Sequence, residues 1–237
     1  MDDISALVRH GLWAIVPTLD AAVGLEACLA ALKLPGGRMI VVDGGSTDAS
    51  VDIARRAGAA VVAAPRGRGA QLAAGADEAL ARGAAWLLFV HADTRLAQAW
   101  PGAARAFVEA PPDCGRAAYF RLAFDDPDRR AARVARLANW RARRFGLPYG
   151  DQGLLVPAAL YRATGGFRPM PLMEDVDLVR RIGRTRLVGL DAVATTSAAR
   201  YRRDGWWLRP ARNLACLTLW FAGLSPDRLA GFYRGRR

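Results

Sequence analysis

The chain has 237 residues, 52% of them apolar and 24% charged, and a formal net charge of +12 at pH 7. That length suits one large domain or two small ones with an ample core. Almost all the positive charge is arginine, since Lys33 is the only lysine, and such a surface attracts phosphates, nucleic acid or anionic lipid. No helix-turn-helix, RRM-like or zinc-ligand pattern accompanies the charge, so nucleic acid is not an expected partner. Cys28, Cys114 and Cys216 are scattered and odd in number. They argue against a disulfide framework or a zinc site and fit a reducing compartment. The first residues, Met1-Asp2-Asp3-Ile4-Ser5, are acidic where a signal peptide is basic. The longest late apolar run, 214–224, falls short of the ~20 residues that span a bilayer. The expectation is a cytoplasmic protein, peripheral at most to the inner face of a membrane.

In chain order, 12–16 reads as a strand stopped by Pro17. Residues 21–32 carry Val23, Leu25, Leu29 and Leu32 at helical spacing, closed by Pro35-Gly36-Gly37. A second strand covers 38–42, and Ser46-Thr47-Asp48 offers an N-cap for a helix through 57. A short strand at 59–63, an alanine-rich helix at 68–82 and a strand at 85–90 follow. This alternation implies a parallel, doubly wound sheet. The second half predicts a strand at 117–124, an arginine-studded helix at 128–145, and a turn at Gly150-Asp151-Gln152-Gly153 before a strand at 154–156. A short helix at 173–182 opens on acids, which suits its N-terminal dipole. Strands at 185–188 and 192–197 precede a basic, aromatic tail from Trp206.

Two of the apolar runs end in acids: 38–42 leads into Asp43, and 86–90 into His91-Ala92-Asp93-Thr94. A continuous apolar run is the mark of a buried parallel strand, so each acid belongs at a strand's carboxyl end, where open α/β sheets bind ligands. Asp43 reads either as a turn-capping aspartate or as an acceptor for a nucleotide's base or ribose. Asp93 reads as an exposed loop acid or as a ligand for Mg²⁺ or Mn²⁺, hard ions that take few protein carboxylates plus substrate phosphates. Glu174 and Asp175, with Asp177, form an acidic first helical turn or a general-base pair for a hydroxyl. The loop 65–71 opens a helix with Arg68 at its start, a place suited to an anion. It is not a P-loop, and no GxGxxG follows the first strand.

Taken in order, these residues resemble a family 2 glycosyltransferase of the GT-A fold. The matching pieces are Ile15-Val16-Pro17-Thr18-Leu19, 41–48, 66–76, His91-Ala92-Asp93-Thr94, 150–155 and Leu172-Met173-Glu174-Asp175-Val176-Asp177. Within that family, Gly67-Arg68-Gly69-Ala70-Gln71, the His-Ala-Asp-Thr segment and the run from Pro171 to Asp177 are similar to the bacterial rSAM/selenodomain-associated transferase 2 group. The likeness covers roughly residues 12–200.

The resemblance implies one glycosyltransferase domain over 1–237: a nucleotide-binding half (11–95), an acceptor and catalytic half (96–204) and a basic aromatic segment (205–237). The fold implied is a Rossmann-like, mostly parallel sheet flanked by helices. The reaction implied is an inverting transfer from a nucleotide-sugar, UDP-linked or other, to a small or polyprenyl-lipid acceptor, with Mn²⁺ or Mg²⁺. Pro17, Thr18, Asp43, Arg68, Ala92 and Asp93 are the implied donor-binding residues, Asp93 also holding the metal. Asp151 and Gln152 are implied on the acceptor side, and Asp175 as the base beside Glu174. His91 stands at the first DxD position, and Gly44 replaces an aspartate that commonly contacts uracil. The segment Ala198-Ala199-Arg200-Tyr201 only faintly echoes the QxxRW motif of processive synthases. A nucleotidyltransferase is the alternative enzyme reading, and a degenerate nucleotide-binding scaffold the non-enzymatic one. The arginine helix 129–144 reads as a solvated basic face, or as a lip for a lipid phosphate or membrane with Trp206, Trp207, Trp220 and Phe221 as anchors.

Overall fold

The computed structural model describes residues 2–110 and 115–234; Cys114 lies outside them. The first half alternates as the apolar runs require: β1 (Leu12–Thr18), α2 (Ala22–Leu32), β2 (Met39–Asp43), α3 (Ser50–Arg56), β3 (Ala60–Ala63), α4 (Arg68–Ala81) and β4 (Trp86–Phe89), preceded by α1 (Asp3–Arg9). These four strands pair in parallel in the order β3-β2-β1-β4. Chain direction across the sheet therefore reverses between β1 and β4, and the crevice beyond their carboxyl ends is the expected ligand position.

The second half is mixed. It comprises β5 (Thr94–Leu96), α5 (Trp100–Val108), β6 (Ala117–Phe124), α6 (Arg129–Phe145), β7 (Leu154–Pro157), α7 (Ala158–Ala163), α8 (Glu174–Ile182), β8 (Leu187–Thr196), α9 (Ala199–Asp204), α10 (Leu208–Phe221) and α11 (Pro226–Arg234). The sheet continues from β4 through β7, β6 and β8 to β5. β7 runs antiparallel to both β4 and β6, β8 parallel to β6, and β5 antiparallel to β8. The architecture is the α/β, GT-A-like sheet with helices on both faces that the sequence predicts.

Core packing follows strand alternation. Leu12, Ala14 and Val16 face one layer, with Leu25 and Leu29 of α2 and Trp100 of α5. Trp13 and Ile15 face the other, with Leu72 of α4, Leu178 of α8 and Leu217 of α10.

Several local expectations shift. Pro17 does not end β1, which runs on to Thr18. Ile15 O accepts from Val90 N (3.1 Å) on one side and Thr18 O from Gly44 N (2.9 Å) on the other. Successive peptides alternate in direction, so the nitrogen of Pro17 faces the side where the pairing with β4 ends at Phe89, and no ladder bond is lost. Helix α3 starts at Ser50, later than a 46–48 cap requires. Those side chains instead lash the β1–α2 turn: Asp48 Oδ2 accepts from Ala22 N (2.9 Å) and Ser46 Oγ from Asp20 N (3.0 Å). The two late strands are one strand, β8, whose pairing with β6 shifts register between Tyr119 and Arg121. The tail from Trp206 is helical, and Trp206 itself is buried against Phe124 and Tyr201, which removes it as a surface anchor.

Gln71 of α4 fixes the crevice. Its Nε2 donates to Thr18 O (2.7 Å) and Val42 O (2.9 Å), tying together the ends of β1 and β2 in a buried setting. Gln71→Met keeps the volume but strands two carbonyls. It is expected to lower stability by about 1–3 kcal/mol, read from urea unfolding.

Candidate active site

Two adjoining cavities lie beyond the carboxyl ends of β1 and β4. The larger, a groove of about 650 Å³, is lined by Pro17, Thr18, Asp20, Ala92 and Asp93 among others, at the topological reversal. The smaller, a chamber of about 110 Å³, takes in Asp151, Glu174 and Asp175. Arg68, His91, Asp93, Ser197 and Arg200 line both, so they form the shared wall.

Local structure explains each placement. Arg68 is the first residue of α4 and reaches across to Glu174, the first of α8, with Nη1 3.1 Å from Oε1. Burial opposes the Arg68 charge, but Glu174 and Asp175 outweigh it and push its pKa up. Burial pushes the Glu174 carboxyl up against the pull of Arg68. Met173 enters α8 in the left-handed region (φ 67°), turning both acids toward the cavity. Asp175 Oδ2 accepts from Gly150 N and Oδ1 from Val176 N, each at 2.7 Å.

Gly150 makes this closeness feasible. A Cβ there would meet His91 Nε2 at 2.5 Å, so a side chain at 150 would drive the loop off both His91 and Asp175. His91 is half-buried, and desolvation, with Arg68 and Arg200 nearby, holds its imidazole well below its ordinary pKa. Asp93 sits in the turn between β4 and β5 rather than at the strand end itself. It is held by the end of β8: Ser197 N donates to its carbonyl (3.1 Å) and Thr196 Oγ1 to its Oδ1 (3.5 Å).

Asp151 is the outlier. Its Oδ1 is buried without a hydrogen-bond partner, and burial, reinforced by Asp175 and Asp93 and opposed by Arg141 and Arg68, pushes the carboxyl up to about 6.

Not every predicted residue arrives here. Asp43 lines neither cavity; its carboxylate accepts from Gly45 N (3.0 Å) and Ser46 N (3.1 Å), the turn-capping alternative. Gln152 points into the core, donating to Phe120 O (3.1 Å) and Asn139 Oδ1 (3.3 Å). Asp177 is held by Arg181 (2.6 Å) and Arg168 (3.3 Å), a structural triad. Position 44 is glycine in company with Gln71, whose Nε2 lies 3.0 Å from where a Cβ would stand.

Conversely, Arg200, Tyr201, Arg209 and Tyr233 line the chamber although only the first two carried any signal, the Arg200-Tyr201 pair. Arg200 has no carboxylate partner among the described residues, whereas Arg209 is buried and paired with Asp204 at 2.6 Å. Among the described residues no three His, Cys, Asp or Glu side chains gather into a self-sufficient metal site. The donor set therefore fits a divalent ion only as a partner to substrate phosphates, with Asp93 as the carboxylate.

The model of glycosyl transferase family 2 matches residues 13–163, more than half of the chain. The chain belongs to that family and is a glycosyltransferase. No curated protein sequence matches it. Among solved structures it is similar to S. aureus TarS 1–349 in complex with UDP-GlcNAc, at 15% identity and a TM-score of 0.59, covering 94% of this chain and 70% of that one. It is also similar to glucosyl-3-phosphoglycerate synthase from Mycobacterium tuberculosis in complex with Mn²⁺, UDP and glucosyl-3-phosphoglycerate. There the identity is 20% and the TM-score 0.54, covering 82% of this chain and 73% of that one. At these identities the likeness carries the fold. No helix among the described residues is long and apolar enough to cross a membrane.

The raised Asp151 pKa has a consequence for stability. The folded state holds this proton up to about pH 6, the unfolded chain only to about 3.8. Stability therefore falls as pH rises between those values. Asp151→Asn is expected to raise Tm at pH 7.5, with the gain shrinking through pH 6 and gone below pH 4, as measured by calorimetry.

Proposed function

We propose that this glycosyltransferase moves a sugar from a nucleotide-sugar to an acceptor hydroxyl with inversion, Asp175 acting as the general base. The observation that carries the proposal is the shared wall: Asp93, Arg68 and Arg200 face both the groove and the chamber that holds Asp175. In this reading the nucleotide lies in the groove over Pro17, Thr18 and Ala92, its diphosphate at the wall. Residues 11–95 then serve the donor, and 96–204 supply the catalytic carboxylates.

The acceptor oxygen attacks the anomeric carbon as the bond from that carbon to the diphosphate breaks. The hydroxyl proton passes to Asp175, whose carboxylate is oriented by the two backbone N–H groups it accepts from. Arg200, without a carboxylate partner among the described residues, and Arg68 stand where negative charge grows on the leaving diphosphate. Asp93 would hold Mn²⁺ or Mg²⁺ together with the phosphates, and the ion would supply further charge neutralisation there. Glu174 keeps Arg68 in place. The nucleotidyltransferase alternative loses ground to the family match, and the scaffold alternative to the assembled carboxylates.

The acceptor is small or lipid-linked, and in the second case the chain works at the cytoplasmic face of a membrane. Support for that comes from α6, where Leu137 and Trp140 are exposed beside Arg133 and Arg136, and from exposed Trp207 and Phe221 on the C-terminal helices.

Thermal-shift measurement with nucleoside diphosphates and nucleotide sugars, with and without Mn²⁺, tests the donor side. A ligand at a hundred times its dissociation constant is expected to stabilise by ~2.7 kcal/mol. Absence of any shift would sink the donor reading. Asp93→Ala is expected to abolish the Mn²⁺-dependent part of that shift. Asp175→Asn is expected to abolish turnover while donor affinity holds, because only a step in the transition state loses its proton acceptor; surviving turnover would refute the base assignment.

A further inference from the structure

The chamber on the far side of Asp175 has a roof that the family match at 13–163 does not reach. Helices α9, α10 and α11 fold over it, and Tyr201, Arg209, Asn213 and Tyr233 look inward. Its aromatic surface is fixed from behind at every ring. Tyr201 stacks on Trp206 (5.2 Å) and meets Phe124 edge-on (4.8 Å). Tyr149 lies under the Arg141 guanidinium at 3.3 Å. The Tyr233 hydroxyl takes a hydrogen bond from Arg209, which also sits over its ring at 5.1 Å and is itself anchored by Asp204. Such backing leaves three ring surfaces held in place before any ligand arrives.

The polar side of the chamber is equally specific. Asp151 lines it, its buried Oδ1 without a partner, and Asp175 stands alongside. Of the three arginines on the walls, Arg68 is committed to Glu174 and Arg209 to Asp204 and Tyr233, while Arg200 lines both cavities and serves the diphosphate in the reading above. With Arg200 serving the diphosphate, no other arginine of the walls is left for an acceptor phosphate or carboxylate, and the carboxylates repel one. Fixed aromatic faces beside two carboxylates, one with an unpartnered oxygen, suit a neutral ring that is apolar on its C–H face and hydroxylated at its edge.

We propose that the acceptor is a saccharide, free or lipid-linked, and that Tyr201, Tyr233 and Asp151 form its subsite. The sugar's C–H face lies on the tyrosine rings, and one hydroxyl donates to Asp151 Oδ1 while its neighbour is delivered to Asp175. Arg209 is a positioning residue that holds Tyr233 in the wall. This rests on the glycosyl-transfer reading for its second hydroxyl, but the subsite itself is testable without turnover.

Saturation-transfer NMR on the full chain with methyl α-glucoside, methyl α-mannoside and methyl β-galactoside reads it directly. Saturation of the aromatic protons is expected to pass to the ring C–H protons of at least one glycoside. Tyr233→Ala is expected to weaken that glycoside by about three- to tenfold, the worth of one aromatic contact. Tyr233→Phe keeps the ring and is expected to keep the saturation transfer. If Tyr233→Ala disturbs the roof, as circular dichroism would show, Asp151→Ala carries the test, with loss of glycoside binding expected at an unchanged circular dichroism spectrum. Three results overturn the proposal: no transfer to any glycoside, transfer undiminished by Tyr233→Ala and Asp151→Ala, or tighter binding of glycerol 3-phosphate than of every glycoside. Nucleotide binding is scored separately by thermal shift, so a failure of the donor reading is not mistaken for a failure of the saccharide subsite.

Discussion

The ion pair between Arg68 and Glu174 is the hinge of this active site. It joins two residues 106 positions apart, the first of α4 in the parallel half and the first of α8 in the mixed half. Glu174 is 2% exposed, so its charge is tolerable only with Arg68 beside it. Such a pair contributes little net stability, because desolvation offsets most of the Coulomb attraction. Its effect is registration. With α4 and α8 pinned start to start, Asp175 is carried to the Gly150 loop, and the loop to His91 and the Asp93 turn. Each of those contacts is short and leaves little slack, as the 2.5 Å approach of a Gly150 Cβ to His91 shows.

From that registration the division of the site follows. The strand order reverses between the parallel β1 and β4, which opens the groove; the antiparallel β7 brings the 150–153 loop back to the same end, which closes the chamber. A donor that spans a groove and a chamber must pass its scissile bond through their common wall. Among the described residues that wall holds one cation without a carboxylate partner, Arg200, one compensated cation, Arg68, and one carboxylate, Asp93. In the proposed reading, a lone aspartate at the DxD-like turn would be completed as a metal site by phosphate oxygens that arrive with the substrate.

The second half of the chain was harder to read because its elements depend on contacts rather than on pattern. β8 continues through residues that break its apolar rhythm because its pairing with β6 shifts register there, and no local signal announces a shift set by the partner strand. Helix α6 buries only Ala131, Ala135, Ala138 and Ala142, while Asn139 bonds both backbone groups of Leu122; its arginines describe the side that faces away. Asp43 and Gln152 sit in motifs that resemble a donor and an acceptor site. In the fold, backbone N–H groups and core carbonyls claim them first.

The sequence by itself determined the parallel half, the GT-A class and the family, because buried strands write themselves as apolar runs and the strand-end acids recur at family spacing. It also singled out Arg68, Asp93, Glu174 and Asp175 as candidates, since their types and order carry the resemblance, and the fold brings all four to the walls of one chamber. Only the tertiary structure decided which of the candidates share a cavity. It alone left Asp151 Oδ1 without a partner and Arg200 without a carboxylate among the described residues, and laid Tyr201 and Tyr233 across the chamber from helices that sequence showed as a basic tail. The reason is physical: a strand or helix is specified by neighbours along the chain, whereas a site is specified by what burial leaves unsatisfied, and that is settled only when distant segments pack.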